Sequence, residues 1–251
     1  MSAQLAFSFF LMSTKQCKQG ILNKNKCRKS RGVTMAREIN YQNEAYAAIK
    51  NLILKSQLIP GQKISKNELV DLLDIGDTPV REAILLLKNE GLFHVIPQSG
   101  TYVSKINLQE VFEAKFVREN IEKIVFAEVC TQITQEQLQE LEKKVKIQRI
   151  YFEANDQEMY FKLDEEFHRY FYEITNKLFV WQWIQSINIS FNRCRYLRLE
   201  VKELKWQDIL EEHEKMIELI RQGKKQALIE LAVAHMERIH HDVKIILQQF
   251  P

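Results

Sequence analysis

The chain has 251 residues, of which 45% are hydrophobic and 27% charged, which excludes a collagen-like chain, a disulfide-rich scaffold and a wholly disordered chain. No apolar run approaches the roughly 20 residues that span a bilayer, and no membrane partner is expected. The formal charge of +3 is uneven, because residues 1–35 carry seven basic and no acidic side chains while the remainder carries a net charge of −4. Charge alone therefore does not indicate a nucleic-acid partner.

Residues 1–35 form a tail in which apolar residues precede the basic ones. A secretory signal has the opposite order. Four scattered cysteines also fit a reducing compartment, so the sequence favours a cytoplasmic protein. Three interpretations of the tail stay open: translation starting at Met35 instead of Met1, a disordered segment, or a basic arm that binds DNA phosphates.

Proline and glycine divide the rest of the chain into two parts. Three internal prolines and four of the seven glycines lie between Pro60 and Gly100, whereas Gly223 is the one glycine in residues 106–250. Both residue types interrupt regular structure. We therefore expect a mainly α protein with a turn-rich domain over 36–105 and an all-α antiparallel helical bundle over 106–251.

The first domain combines helical spacing of apolar residues with short strand-like runs. The first predicted helix covers 41–58 and is ended by Pro60-Gly61, and the second is opened by the capping box Ser65-Lys-Asn-Glu68. A third helix is expected to be capped by Asp77 or Thr78 and ended by Gly91. Strands are predicted over 93–96 and 101–104. Three helices followed by a hairpin are typical of a winged helix-turn-helix.

The segment from Tyr41 to Lys105 closely resembles the DNA-binding domain of GntR-type bacterial transcription regulators. The resemblance depends on ordered markers: Pro60-Gly61, Leu69, Thr78-Pro-Val-Arg-Glu-Ala83, Glu90-Gly-Leu92 and Gly100-Thr101. In that family the third helix enters the major groove of DNA and the hairpin tip enters the minor groove. The resemblance implies a set of contacts with double-stranded DNA: Arg81 to a guanine edge or a phosphate, Lys66 and Thr78 to phosphates or bases, and Gln98, Ser99 and Gly100 at the wing tip.

One departure from the family pattern bears on DNA recognition. The family usually has Ser-Arg before its Thr-Pro, and Gly76-Asp77 stands there in this chain. An acid near phosphates is repulsive. Residues 36–105 also carry eight basic and eight acidic side chains. A winged helix that makes only protein contacts therefore stays an alternative.

The second domain is predicted as a run of helices with short polar connections. The expected spans are 107–131, 134–154, 156–176, 178–201, 205–222 and 224–249.

Two spacings in these helices point to a metal site. Asp164 and His168 are four residues apart, on one face of a helix. His213 and His235 lie 11 residues on either side of Lys224, which places them at the same height in an antiparallel helix pair. Three imidazoles and one carboxylate suit Zn²⁺, Ni²⁺, Mn²⁺ or Fe²⁺. The alternative is that the five histidines of this domain are ordinary surface or core residues.

The bundle also resembles the FCD effector domain of the FadR branch of GntR regulators. The markers are Arg118-x-x-x-Glu122, Asp164-x-x-x-His168 with Thr175-Asn176, Glu212-His213, and His235. The resemblance implies that Asp164, His168, His213 and His235 bind a divalent metal, and that a small carboxylate metabolite binds the metal. It also implies that Arg118 clamps the carboxylate; a surface ion pair with Glu122 is its alternative.

We therefore expect a metabolite-responsive transcription regulator that acts as a homodimer on a palindromic DNA operator. An enzyme is not expected, since the chain has no nucleophile triad, phosphate loop or dinucleotide fingerprint. One alternative is a di-iron or other metal-dependent helical-bundle enzyme, suggested by Glu165-x-x-His168 and Glu237-x-x-His240. Another is a structural metal without a small-molecule effector.

Overall fold

The computed structural model describes residues 31–250, with side chains from Tyr41 onward. The predictions for the tail therefore fall largely on residues outside the described part. The chain folds into two compact units, residues up to Lys50 with Lys63–Tyr102, and Asn51–Gln62 with residues from Val103. Within residues 31–250, no helix is long and apolar enough to cross a membrane.

Over residues 31–103 the structure describes three helices and a small sheet. They are α1 (Arg31–Leu54), β1 (Lys63–Ile64), α2 (Lys66–Leu73), α3 (Asp77–Asn89), β2 (Phe93–Ile96) and β3 (Gly100–Val103). The sheet order is β1-β3-β2, and β1 runs antiparallel to β3 with Lys63 opposite Tyr102. The sequence pattern missed β1, because two residues are too short to produce a period of two.

Two helix ends differ from the predictions for physical reasons. The helix predicted to run to residue 58 ends at Leu54, because Ser56 enters the left-handed region at φ 54°. The prediction that Asp77 or Thr78 caps α3 is wrong. Gly76 is the N-cap and makes no side-chain cap bond, and the Asp77 carboxylate instead pairs with Lys66. The capping box at Ser65, by contrast, is present on α2.

An apolar core holds the first unit together. Its fully or almost fully buried members come from α1, α2, α3 and the sheet: Ala45, Ile49, Leu69, Val80, Ala83, Leu87, Leu92 and Phe93. Because Val80, Ala83 and Leu87 form the inner stripe of α3, the opposite face of this helix lies in solvent and carries Thr78 and Arg81.

The second unit contains seven helices that follow the predicted spans closely. They are α4 (Leu108–Gln132), α5 (Gln135–Glu153), α6 (Gln157–Ile174), α7 (Leu178–Ile187), α8 (Ile189–Glu200), α9 (Gln207–Arg221) and α10 (Lys225–Gln249). The one helix predicted over 178–201 is two helices, divided at Asn188. Asparagine is a weak helix former and is common at helix ends, which fits this break.

The predicted mainly α fold, a winged helix-turn-helix and then an all-α helical bundle, is confirmed. In the bundle, α5 packs against α6, α4 against α10, and α9 against both α5 and α10. One apolar cluster centres on Phe126, Phe167 and Phe171, and a second on Phe191 and Met236. These clusters bury the helix faces that also carry the polar residues of the candidate site.

Candidate metal and effector site

Three helices of the bundle bring the three predicted metal-binding histidines together, and Asp164 lies beside His213. Asp164 and His168 lie on α6, His213 on α9 and His235 on α10, and all four side chains are buried. One nitrogen from each of the three imidazoles lies within 4.8 Å of the others. The Oδ1 atom of Asp164 is 3.7 Å from Nε2 of His213. The arrangement is a compact set of donors inside the bundle.

The outer ring nitrogens of two of these histidines face acceptors from neighbouring helices. Nδ1 of His213 donates to Oε1 of Gln148 at 2.9 Å, and Nδ1 of His235 donates to Oε2 of Glu212 at 2.7 Å. A hydrogen bond at Nδ1 fixes the tautomer in which Nε2 keeps its lone pair. In that tautomer the Nε2 atom of each ring carries the lone pair that is available to a metal.

His168 differs from the other two histidines. Its Nδ1 lies 3.3 Å from Oε1 of Glu122, but neither of its ring nitrogens has a hydrogen-bond partner within the described residues. Nε2 of His213 is also without such a partner. Buried polar atoms are rarely left unsatisfied. Unsatisfied nitrogens within one compact cluster fit a bound cation, so these residues match the metal that the FCD resemblance implies.

Burial also sets the protonation of the cluster. It lowers the pKa of His213 to about 3 and the pKa of His168 well below its ordinary value. Burial raises the pKa of the Asp164 carboxyl, but the Arg195 guanidinium and the three histidines together outweigh burial and hold that pKa well below its usual range. The neutral imidazoles of His168 and His213 and the ionised carboxylate of Asp164 are the forms that bind metals.

Arg195 is a neighbour of this cluster whose orientation the sequence did not fix. Its guanidinium contacts both Asp164 and Glu165. It lies over the Phe161 ring, with Cζ 4.9 Å from the ring centroid. Arg195 therefore neutralises the acids on α6 beside the three imidazoles.

A cavity of about 50 Å³, partly open to solvent, adjoins the cluster. Its walls carry two of the predicted metal ligands, four arginines and a group of apolar side chains; the polar members are Arg118, Asp164, Arg195, Arg198, His235, Arg238 and Asp242. A partly enclosed space with apolar walls and a few convergent polar groups is typical of small-molecule sites.

Arg118 reaches this cavity from α4. Its Nε donates to Oε1 of Glu122 at 2.7 Å, while its Nη2 has no hydrogen-bond partner within the described residues. The pair with Glu122, expected as a surface ion pair, is instead buried. That Arg118 clamps an effector stays a prediction. The structure adds that this residue lies in the cavity wall.

Gln148 and Arg198 also line or support this region without having been predicted. The sequence does contain a signal for Gln148. The residue continues the buried stripe of α5 formed by Leu138, Leu141 and Val145, at a position where an apolar residue is expected. A polar residue in a buried stripe needs a partner, and His213 is that partner. Arg198 follows Arg195 by three residues on α8, but the sequence does not tell which face of that helix meets the cavity.

The residues predicted to contact DNA lie in the first unit, apart from this cluster in the chain. Thr78 and Arg81 are exposed on α3, and Lys66 at the start of α2 pairs with Asp77. Gln98 and Ser99 are exposed between β2 and β3.

The wing has features that the sequence did not reveal. Gln98 adopts φ 60° and Gly100 adopts φ 143°, and a Cβ atom at position 100 would lie 2.8 Å from Cε of Lys63. The Ser99 hydroxyl is hydrogen-bonded to the Tyr102 hydroxyl at 2.7 Å. Lys63 therefore adds a basic side chain beside the wing tip.

The two Glu-x-x-His pairs of the di-iron alternative do not meet. Glu237 and His240 form a half-exposed pair with each other on α10. Glu165 is bound to Arg195 and Gln185. In the part of the chain that the structure describes, one group of three clustered metal-ligand residues is present. It consists of the three imidazoles and includes neither glutamate.

Comparison with known proteins agrees with the architecture. The FCD domain model matches residues 110–238, and the model for bacterial regulatory proteins of the gntR family matches residues 41–103. The chain is 27% identical over 206 residues to the HTH-type transcriptional repressor RspR of Escherichia coli K12, covering 82% of this chain and 90% of that protein. It is 21% identical over 210 residues to the HTH-type regulator YdhC of Bacillus subtilis, covering 83% of this chain and 93% of the relative.

A solved structure supports the fold. McbR/YncC of E. coli matches with a TM-score of 0.65 and 19% identity, covering 84% of this chain and 99% of that chain. The matched families and the relatives are transcription regulators and not enzymes. This chain therefore belongs to the GntR family of bacterial transcription regulators and carries an FCD domain.

Proposed function

We propose that the DNA affinity of this regulator is controlled by a small carboxylate metabolite, bound at a divalent metal in the FCD domain. Residues 36–105 are the DNA-binding domain of this proposal, and residues 106–251 are the metal- and effector-binding domain. The observation that carries it is the set of three buried, converging imidazoles beside a cavity lined by arginines.

His168, His213 and His235 would hold the metal through ring nitrogens, with Asp164 as the carboxylate ligand. A bound divalent cation supplies a Lewis acid for an anionic oxygen of the effector. Imidazole and carboxylate ligands suit Zn²⁺, Ni²⁺, Mn²⁺ and Fe²⁺. The protein contributes orientation, because Gln148 and Glu212 fix the rings of His213 and His235 from behind.

Replacing Glu212 by glutamine is expected to weaken metal binding by about 10- to 100-fold, the usual effect of altering an outer partner of a metal-bound histidine, because a neutral amide accepts the Nδ1–H of His235 less strongly than a carboxylate does. Glu212 accepts from Nδ1 of His235 and from Arg238, and although burial opposes ionisation, these donors lower its pKa to about 2. Metal affinity is measured by competition with a chromophoric chelator. Glu218→Gln, an exposed glutamate on the same helix, is the matched control; equal affinities in both variants would refute this role.

The effector carboxylate would bind between the metal and the guanidinium of Arg118. Arginine offers parallel N–H donors that match a carboxylate. The place of Arg118 in the cavity wall supports this role. To regulate DNA binding, the effector must bind the conformation that binds DNA and the conformation that does not with different affinities.

The operator contact would involve Arg81, Thr78 and Lys66 together with the wing residues Gln98, Ser99 and Gly100. The exposure of Arg81, Thr78, Gln98 and Ser99 supports this assignment, as does the Lys63 side chain beside Gly100. A homodimer would read a palindromic operator through two copies of α3. Exposed apolar side chains on α4, Phe116 at 67% and Ile124 at 65%, support self-association, which sedimentation equilibrium tests. We place the protein in the cytoplasm, where its operator lies.

The Asp77→Asn substitution is expected to strengthen DNA binding and to increase the slope of log affinity against log salt by up to about one. The physical reason is that Asp77 binds Lys66, so the substitution removes a negative charge and frees a cation for a phosphate. Binding is measured by fluorescence anisotropy at several salt concentrations. Asp71→Asn, exposed on α2, is the control. If the salt dependence of DNA binding by Asp77→Asn has the wild-type slope, Lys66 does not contact a DNA phosphate.

The proposal is tested by selecting random double-stranded DNA with the full chain while its bound metal is assayed in the same sample. An enriched palindrome and about one metal per chain are expected. The selected operator is then titrated with small carboxylates, and a change in DNA affinity is expected with metal-loaded protein only. Metal without any response to carboxylates would favour a structural metal, and no enriched sequence would favour a winged helix that makes protein contacts.

A further inference from the structure

The outer face of α3 carries a leucine among polar residues. Leu85 is 56% exposed in the chain as a whole. It follows Thr78 by seven residues, about two helical turns, so both residues lie on the side of α3 opposite its buried stripe. Arg81, Lys88 and Asn89 are exposed on the same side. Leu85 therefore lies near the centre of this outer face, one turn beyond Arg81.

The outer face of α3 is the face that can meet DNA. The helices α2 and α3 are joined by a turn of three residues and form a helix-turn-helix, in which the second helix lies in the major groove. The inner face of α3 is covered by the core of the first unit. A major groove that receives α3 therefore receives its outer face, and Leu85 is brought against the edges of the bases.

The chemistry of leucine limits which base edge it can contact favourably. Its side chain neither donates nor accepts a hydrogen bond. In the major groove guanine, adenine and cytosine present polar atoms alone, whereas thymine also presents an apolar 5-methyl group. Against a polar edge, Leu85 would displace water without replacing the hydrogen bonds of that water, which is unfavourable. A thymine methyl group is therefore the partner that suits this residue.

We propose that Leu85 reads a thymine of the operator by packing against the 5-methyl group of that base. This inference rests on the proposed function and adds a specificity-determining residue to its DNA contact. Four residues along α3 correspond to a rise of about 6 Å, and successive base pairs are about 3.4 Å apart. The thymine is therefore expected within about two base pairs of the position that Arg81 contacts.

Replacing thymine by deoxyuridine tests the contact directly, because it removes the methyl group and keeps every hydrogen-bonding group of the base pair. The operator selected by the full chain is prepared with each thymine replaced in turn, and binding is measured by fluorescence anisotropy. We expect one replacement to weaken binding of the wild-type chain by about fourfold, the effect of exposing one buried methyl group.

The Leu85→Ala variant connects that effect to the residue. Alanine favours the helix, and position 85 is exposed, so the fold is expected to be retained. The variant is expected to bind the thymine and deoxyuridine forms of the sensitive position equally well. Ile150→Ala is the matched control, because Ile150 is 59% exposed on α5 in the second unit, and it is expected to keep the fourfold difference.

The possible outcomes separate this inference from the proposed function. If an operator is selected but no deoxyuridine replacement weakens wild-type binding, sequence-specific recognition stands and the methyl contact is overturned. The contact is also overturned if the fourfold difference persists in a folded Leu85→Ala chain, since another residue then packs against the methyl group. If selection enriches no operator, the proposed DNA recognition is overturned together with this inference.

Discussion

Replacing His213 by alanine is expected to abolish tight binding of a divalent metal to this chain. His213 is fully buried, and its Nε2 is unsatisfied and lies among the other donors of the cluster. The loss of metal affinity is expected to exceed the roughly 10- to 100-fold loss caused by replacing a residue that hydrogen-bonds to a ligand, because a direct ligand is removed. Metal content after gel filtration, followed by a chelator competition assay, measures the effect.

The control for this experiment is His240→Ala. His240 is 43% exposed on α10 and contacts Phe112 and Glu237 instead of the cluster. It is expected to keep one metal per chain with wild-type affinity. Thermal unfolding of both metal-free variants separates a loss of the ligand from a loss of the fold, since His213 also packs on Phe167 with ring centroids 4.1 Å apart. Wild-type metal affinity in a folded His213→Ala chain would refute the metal site.

Replacing Arg81 by alanine is expected to abolish sequence-specific DNA binding while the fold stays intact. Arg81 is exposed on α3, where its truncation leaves the core residues Val80 and Ala83 unchanged. A bidentate contact of arginine with a guanine contributes about 1–3 kcal/mol of discrimination, and a symmetric dimer makes it in each half-site. Anisotropy with the selected operator and with an unrelated duplex measures the loss of discrimination.

Arg169→Ala is the matched control for Arg81. Arg169 is an exposed arginine on α6 in the second unit and pairs with Glu173. Because the substitution removes the same charge, it is expected to leave operator affinity unchanged. If Arg81→Ala weakens binding to both duplexes equally, Arg81 contacts a phosphate and does not read a base. Unchanged operator affinity in Arg81→Ala would exclude the residue from the contact.

Local patterns predicted most of the elements of this fold. The spacing of apolar residues identified six bundle helices, and the capping box at Ser65 marked the start of α2. Local rules failed at several places, among them the end of α1 at Leu54, the missed strand β1 and the following two. Asp77 pairs with Lys66, which is distant in sequence, instead of capping α3, and a break at Asn188 separates α7 from α8.

The metal-binding candidates could be identified from sequence because helical geometry is regular. A separation of four residues puts Asp164 and His168 on one face of α6. His213 and His235 lie equally far from the turn between α9 and α10, and their ring centroids are 5.2 Å apart. In both cases the geometry follows from the rise of one helix or from a single antiparallel pair.

The sequence by itself determined the order of the two regions, their mainly α character and the four candidate metal ligands, because each follows from local periodicity or from a motif. Only the tertiary structure decided which side chains surround those ligands. Gln148, Arg195 and Arg198 lie on helices whose rotation about their own axes is set by packing against several neighbours at once. Local periodicity does not specify that rotation. The partners of the histidines and the residues that line the cavity are therefore decided only when the bundle is assembled.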